Sequence, residues 1–163
     1  MRSPRVAVLI GLAAALFAGC AMPVPAGPTP TRMEGAPVTL PGSSEFVPAG
    51  VSGAIGWRGT NSFPSGFDRD ATHETLESLG TAFIDALRAD WAGSAQVPAF
   101  GLESLAIQDD RALLLVTEGG VGDDSVFGTQ YALAAVASAG GWRLDDLYAR
   151  ALCRRGVTED VCL

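Results

Sequence analysis

Between Leu102 and Leu144 apolar runs alternate with short turn signals, and this pattern constrains the fold more than any other feature of the 163 residues. Residues 102–108 (LESLAIQ) meet 111–118 (RALLLVTE) across Asp109-Asp110, a hairpin signal. Leu113 to Val116 is unbroken, which predicts burial on both faces of a sheet. After GGVGDDS, residues 126–137 (VFGTQYALAAVA) read as a long strand, and Ala139-Gly140-Gly141 turns the chain into WRL. The succession is a β-meander.

One helix precedes it. Leu76, Leu79, Phe83, Leu87 and Trp91 recur on one helical face, and Ile84 broadens that face enough to lie against a sheet. Asp70 or Thr72 can cap its start, Glu74 and Glu77 suit the positive end of its dipole, and Gly93 and Pro98 close it. Residues 51–69 scatter Trp57, Phe63 and Phe67 among Gly and Ser, as irregular chain or a short strand packing aromatics onto the core. Residues 144–155 admit two readings. Leu144, Leu147, Tyr148, Ala151 and Leu152 follow a helical period; as a strand, Asp146 would share a face with Trp142, Leu144 and Tyr148. Local physics favours a helix. The expected fold class is therefore α+β: one long helix packed on an antiparallel β-meander of three to four strands, forming a single domain over residues 51–163.

The first 50 residues follow different rules. Arg2 and Arg5 precede 17 uncharged residues, Val6 to Met22. That is short for a spanning helix and has the layout of a secretory signal. Residues 21–50 carry seven prolines with Gly, Ser and Thr between them and no apolar period. They read as a semi-rigid, disordered tether of polyproline type. The segment Leu16-Phe17-Ala18-Gly19-Cys20 resembles the lipobox of bacterial lipoproteins, with Phe17 where that family usually has leucine. The resemblance implies a signal peptide over residues 1–19 and lipidation of Cys20 with palmitate-type acyl chains. It implies a cell-envelope location, lipid-anchored to a membrane and facing the periplasm or exterior. Two or more acyl chains anchor stably, and a Pro-rich tether over residues 20–50 holds the domain clear of the head groups.

A second resemblance covers residues 123–162. Asp123-Asp124-Ser125-Val126, Tyr131, Trp142-Arg143, Cys153, Arg155-Gly156 and Cys162 are similar to the end of a group of uncharacterised bacterial secreted proteins and lipoproteins. Members of that group continue as a strand up to the first cysteine. They often have a longer loop between the two cysteines, where this chain has eight residues. The helix-then-meander order also resembles the cystatin-like and nuclear-transport-factor-like folds, an analogy that fixes no function.

Composition excludes several classes. The chain has no lysine, and loss of residues 1–19 leaves nine arginines against eighteen acidic residues, a net charge of −9. That balance repels phosphate backbones, so no nucleic-acid partner is expected. Cys153 and Cys162 in an exported chain are expected to form a disulfide. His73, the only histidine, falls in the first turn of the helix and reads as a solvated surface residue. Zinc sites of several His or Cys ligands are excluded by count, and no G-x-S-x-G turn is present. Neither metal nor cofactor is expected. Gly119-Gly120-Val121-Gly122 leads into Asp123-Asp124, which would repel a phosphate, so it reads as a flexible loop. Turn chemistry explains Asp109-Asp110 and Asp123-Asp124; Asp145 or Asp146 is expected to pair with Arg143 or Arg150. Two functions remain. The leading one is a non-enzymatic binding or assembly domain, for an envelope protein or a small ligand, held at the membrane by its anchor. The alternative is a small enzyme using a carboxylate in the concave face of the sheet, with Asp145, Asp146 or Asp85 as base.

Overall fold

The computed structural model describes residues 39–120 and 123–163. In chain order the elements are β1 (Gly53–Ala54), β2 (Arg58–Gly59), α1 (Leu76–Asp90), β3 (Ala99–Gln108), β4 (Arg111–Gly119), β5 (Val126–Ser138), β6 (Gly141–Cys153), β7 (Val157–Thr158) and β8 (Val161–Cys162). The four long strands pair antiparallel in sequence, β1 and β2 add to the far side of β6, and β7 and β8 form a separate ribbon. Two-residue turns at Asp109-Asp110 and Ala139-Gly140 set the registers Gln108↔Arg111 and Ser138↔Gly141.

The expected α+β architecture, a long helix on a three- to four-stranded cystatin-like meander, is overturned. Among the described residues the molecule is mostly β, with six strands in the main sheet and a single helix of 15 residues. The reason lies in three places. First, the helix starts late. His73 and Trp142 exchange backbone hydrogen bonds of 2.8 and 2.7 Å, holding the chain extended at His73. The cap is therefore Thr75, not Asp70 or Thr72; it forms a reciprocal capping box with Ser78.

Second, residues 144–153 are strand. A bulge at Asp145 resolves the conflict that made a strand awkward. Leu144 pairs with Ala135 and Asp146 with Ala134, so Asp145 is an inserted residue that reverses the alternation of faces. Trp142, Leu144 and Leu147 then pack toward the helix, whereas Asp146 and Tyr148 lie on the opposite face. Third, residues 51–69 supply β1 and β2, which pair with β6 at Gly53↔Cys153 and Arg58↔Ala149.

Each face of the sheet is covered differently. On the inner face, Leu79, Phe83, Ile84 and Leu87 of α1 pack on Ala112, Leu114, Val116, Leu133, Ala135, Leu144 and Leu147. On the outer face, Leu113, Leu115 and Ala132 are covered by Leu40, Trp57 and Tyr148. Leu40 belongs to the stretch expected as tether. Residues 1–38, on which the expected signal peptide and most of the expected tether fall, lie outside the described residues. From Leu40 to Pro48, however, the chain is a strap docked on the outer face, not a spacer: Pro41 O accepts from the Trp57 indole at 2.8 Å. No helix among the described residues is long and apolar enough to cross a membrane.

Candidate functional site

The outer face carries a buried polar cluster and, beside it, an open cleft. Its rows follow from strand register: Gly101, Thr117, Gln130 and Arg150 stand side by side across β3, β4, β5 and β6. Gln130 and Arg150 are 1% and 2% exposed. A guanidinium so buried must have every donor satisfied. Its Nε and Nη2 donate to Gln130 Oε1 at 2.9 and 2.7 Å, Nη1 to Gly42 O at 2.8 Å, and Nη2 also to Glu45 O at 2.7 Å. Gln130 Nε2 in turn donates to Phe46 O at 2.9 Å and Thr117 Oγ1 at 3.0 Å. Trp57 stacks on the guanidinium, 4.3 Å from ring centroid to carbon. Burial holds the Arg150 pKa below the usual arginine range, and the Glu45 charge acts against that shift. The cluster therefore ties the strap to the sheet.

The strap pays for this in backbone strain at Phe46, whose φ of 53° is rare for a bulky residue. From Phe46 to Pro48 the strap borders the sheet across a gap. An open cleft of about 390 Å³ lies there, lined by Phe46, Val47 and Pro48 on one side and by residues of β3, β4 and β5 on the other. Its floor is shallow because the outward residues Ala99, Gly101, Thr117 and Gly119 are small. Phe127 closes one end. It sits at a bulge between Val126 and Gly128, and its ring occupies the space a side chain on Gly119 would fill. A Cβ on Gly128 would collide with the Glu118 carbonyl oxygen, so both glycines are needed to seat the phenyl wall. Glu103 is the one charged residue on the lining.

A second polar cluster lies on the inner face, beneath the end of α1. Glu118, 6% exposed, accepts from the Trp91 indole through Oε1 and from the Tyr131 hydroxyl at 3.0 Å through Oε2. Burial pushes the Tyr131 phenol well above its ordinary pKa, and the neighbouring Glu118 charge adds to the effect. Tyr131 therefore remains a donor at neutral pH. Both carboxylate oxygens are engaged, and the three side chains lock the last turn of the helix to β4 and β5. Nothing in this set is a free base or a nucleophile.

The carboxylates singled out from sequence are dispersed. Asp85 is on the exposed face of α1, paired with Arg88 at 2.9 Å. Asp145, the bulge residue, pairs with Arg111 at 3.3 Å, not with Arg143 or Arg150. Asp146 does not pair with Arg150 either, because that guanidinium is spent on the strap and Gln130. Asp145 and Asp146 share a polar hollow of about 280 Å³ with Asn61, Arg69 and Tyr148; Asp85 does not line it. His73 is not in a helical first turn. Its ring stacks on Phe67, centroids 6.5 Å apart, and its Nε2 is buried with no hydrogen-bond partner.

The Asp123-Asp124-Ser125-Val126 motif has a local task. Asp123 Oδ1 accepts from the backbone N–H groups of Val126 and Ser125 and from the Ser125 hydroxyl, all at 2.8 Å. These bonds, that from Val126 N–H first, hold its carboxyl below the usual carboxylate pKa. Ser125 O accepts from Arg154 N at 2.9 Å, and Asp124 pairs with Arg155 at 3.2 Å. The loop thus grips the chain just past Cys153. Cys153 and Cys162 form a disulfide with Cα atoms 5.1 Å apart. Gly119 ends β4 and Gly120 follows it, while residues 121–122 and Cys20 lie outside the described residues.

Sequence reasoning missed Glu118, Gln130 and the strap. One signal was available for Gln130, a polar residue inside the otherwise apolar run VFGTQYALAAVA. Comparison with protein families, with curated proteins and with solved structures finds no match to this chain.

Proposed function

We propose that this is a lipid-anchored envelope protein whose domain is a non-enzymatic binder of a small apolar ligand, seated in the cleft between the strap and β3–β4. The observation that carries the reading is that cleft. Its volume falls within the range of small-molecule sites, and its walls are Phe46, Val47, Pro48 and Phe127 over a floor of small residues. The buried polar groups nearby support a binding role over catalysis: Arg150, Gln130 and Glu118 are consumed by contacts within the fold. The anchor rests on the resemblance at Cys20.

Two measurements test the proposal. Cys20→Ser is expected to shift the protein from the membrane fraction to the aqueous one, or to leave an unprocessed precursor. Intact mass showing Met1 retained and Cys20 unmodified in the wild type would refute the anchor. For the cleft, Gly101→Leu is the informative change, because a side chain there meets only ordinary contact with Thr117 and projects into the floor. The wild type is expected to bind the neutral dye Nile red with saturable fluorescence, and Gly101→Leu to lose it. Saturable binding that Gly101→Leu leaves unchanged would overturn the cleft assignment.

A further inference from the structure

The charge pattern around the cleft narrows the ligand, on the assumption that the cleft reading above is correct. Its lining is apolar except for Glu103, which stands outward on β3 opposite Leu115 and beside Gly101. Two phenyl rings, Phe46 and Phe127, wall the cleft; the Phe100 ring packs on the inner face instead. Aromatic faces and a carboxylate both attract organic cations. The neighbouring arginines do not cancel this preference. Arg150 is bound by Gln130 and the strap carbonyls. Arg154 stacks over Phe127 at 5.5 Å and does not line the cleft. Its position shows that the Phe127 ring accepts a cation.

We infer that the cleft selects an amphipathic cation, a ligand with an apolar body and an ammonium end, the body lying on Gly101, Thr117 and Gly119 and the ammonium meeting Glu103. Glu103 is an exposed specificity residue: it adds the modest attraction of a solvent-accessible ion pair, and the apolar contacts supply the rest of the affinity.

The test uses three probes of equal chain length, octylammonium, 1-octanol and octanoate, titrated calorimetrically into wild type, Glu103→Gln, Glu103→Lys and Gly101→Leu at low salt. In the wild type octylammonium is expected to bind tightest and octanoate weakest. Glu103→Gln should weaken octylammonium by about fivefold, the upper end for an exposed ion pair, and leave 1-octanol unchanged; Glu103→Lys should reverse the order of the two ions. High salt should shrink the difference between them. Equal binding of all three probes, abolished by Gly101→Leu, would overturn the cation preference and leave the cleft reading standing. Binding that Gly101→Leu does not alter, or no binding of any probe, would overturn both. Circular dichroism of each variant separates loss of binding from loss of fold.

Discussion

Replacing Arg150 by Met removes its four hydrogen bonds, two of them to the strap and two to Gln130, while keeping most of the buried stem. Hydrogen bonds to a charged group contribute about 1.5–3 kcal/mol each, and a buried acceptor left without a partner costs about 1–3 kcal/mol. Gly42 O and Glu45 O belong to the strap and recover water if it lifts. Gln130 Oε1 lies beneath it and recovers water only when the strap leaves. Burial of the methionine stem and relief of the Phe46 backbone offset part of the loss. The net expectation is a destabilisation of about 2–4 kcal/mol. For a domain of this size that lowers the melting temperature by roughly 10 °C. The local consequence is sharper. Phe46 is 51% exposed yet held at a left-handed φ, so chymotrypsin reaches its peptide bond only when the strap opens. Arg150→Met is expected to speed cleavage after Phe46 by a factor of ten or more, with thermal melting followed in parallel. Arg150→Lys, with three donors instead of a planar fork, should fall between. If Arg150→Met melts within a degree of wild type, or melts early with unchanged cleavage at Phe46, the guanidinium does not hold the strap.

The C-terminal staple gives a second expectation. By loop entropy a disulfide across nine positions contributes about 2.5–3 kcal/mol, so Cys153→Ala with Cys162→Ala should lower the melting temperature with the helix signal intact; two alkylatable thiols in the wild-type protein isolated without reductant would defeat the structural assignment. Gly128→Ala should destabilise by more than about 3 kcal/mol, because the new Cβ meets backbone and not a movable side chain; a near-neutral value would mean that the bulge at Phe127 is mobile. A fourth expectation concerns alkaline pH. Unfolded tyrosine loses its proton near pH 10, and Tyr131 holds its proton to higher pH when folded. Its contribution is complete below pH 10 and is lost as pH rises beyond. Denaturant titrations of Tyr131→Phe should therefore give lower stability at pH 7 but a shallower decline above pH 10; an identical decline in both proteins would refute the assignment.

Much of the central sheet was legible because its causes are local. The turn at Asp109-Asp110 and the glycines at 140 and 141 mark the hairpins, and Leu113 to Val116 is buried on both sides because α1 covers one face and the strap the other. What was not legible depended on a residue whose partner is remote. The bulge at Asp145 depends on pairing with β5, and without it residues 144–155 look helical. The cap at Thr75 depends on His73 being held by Trp142 across 69 positions of sequence. The strap reads as tether because prolines and glycines describe its stiffness and not its destination, which is set by a guanidinium 108 residues from Gly42. The cleft inherits that blindness, since one wall is strap and the other sheet.

The space between the strap and β3–β4 is proposed as a ligand site. A chemical-shift map of the ¹⁵N-labelled protein titrated with 1-octanol tests it most directly, because each backbone amide reports its own location. Saturating shifts are expected at Phe46, Val47, Gly101, Thr117, Gly119 and Phe127, absent in Gly101→Leu. Saturating shifts confined to the inner face, around Trp91, Glu118 and Tyr131, or shifts that scatter over the surface and never saturate, would contradict it.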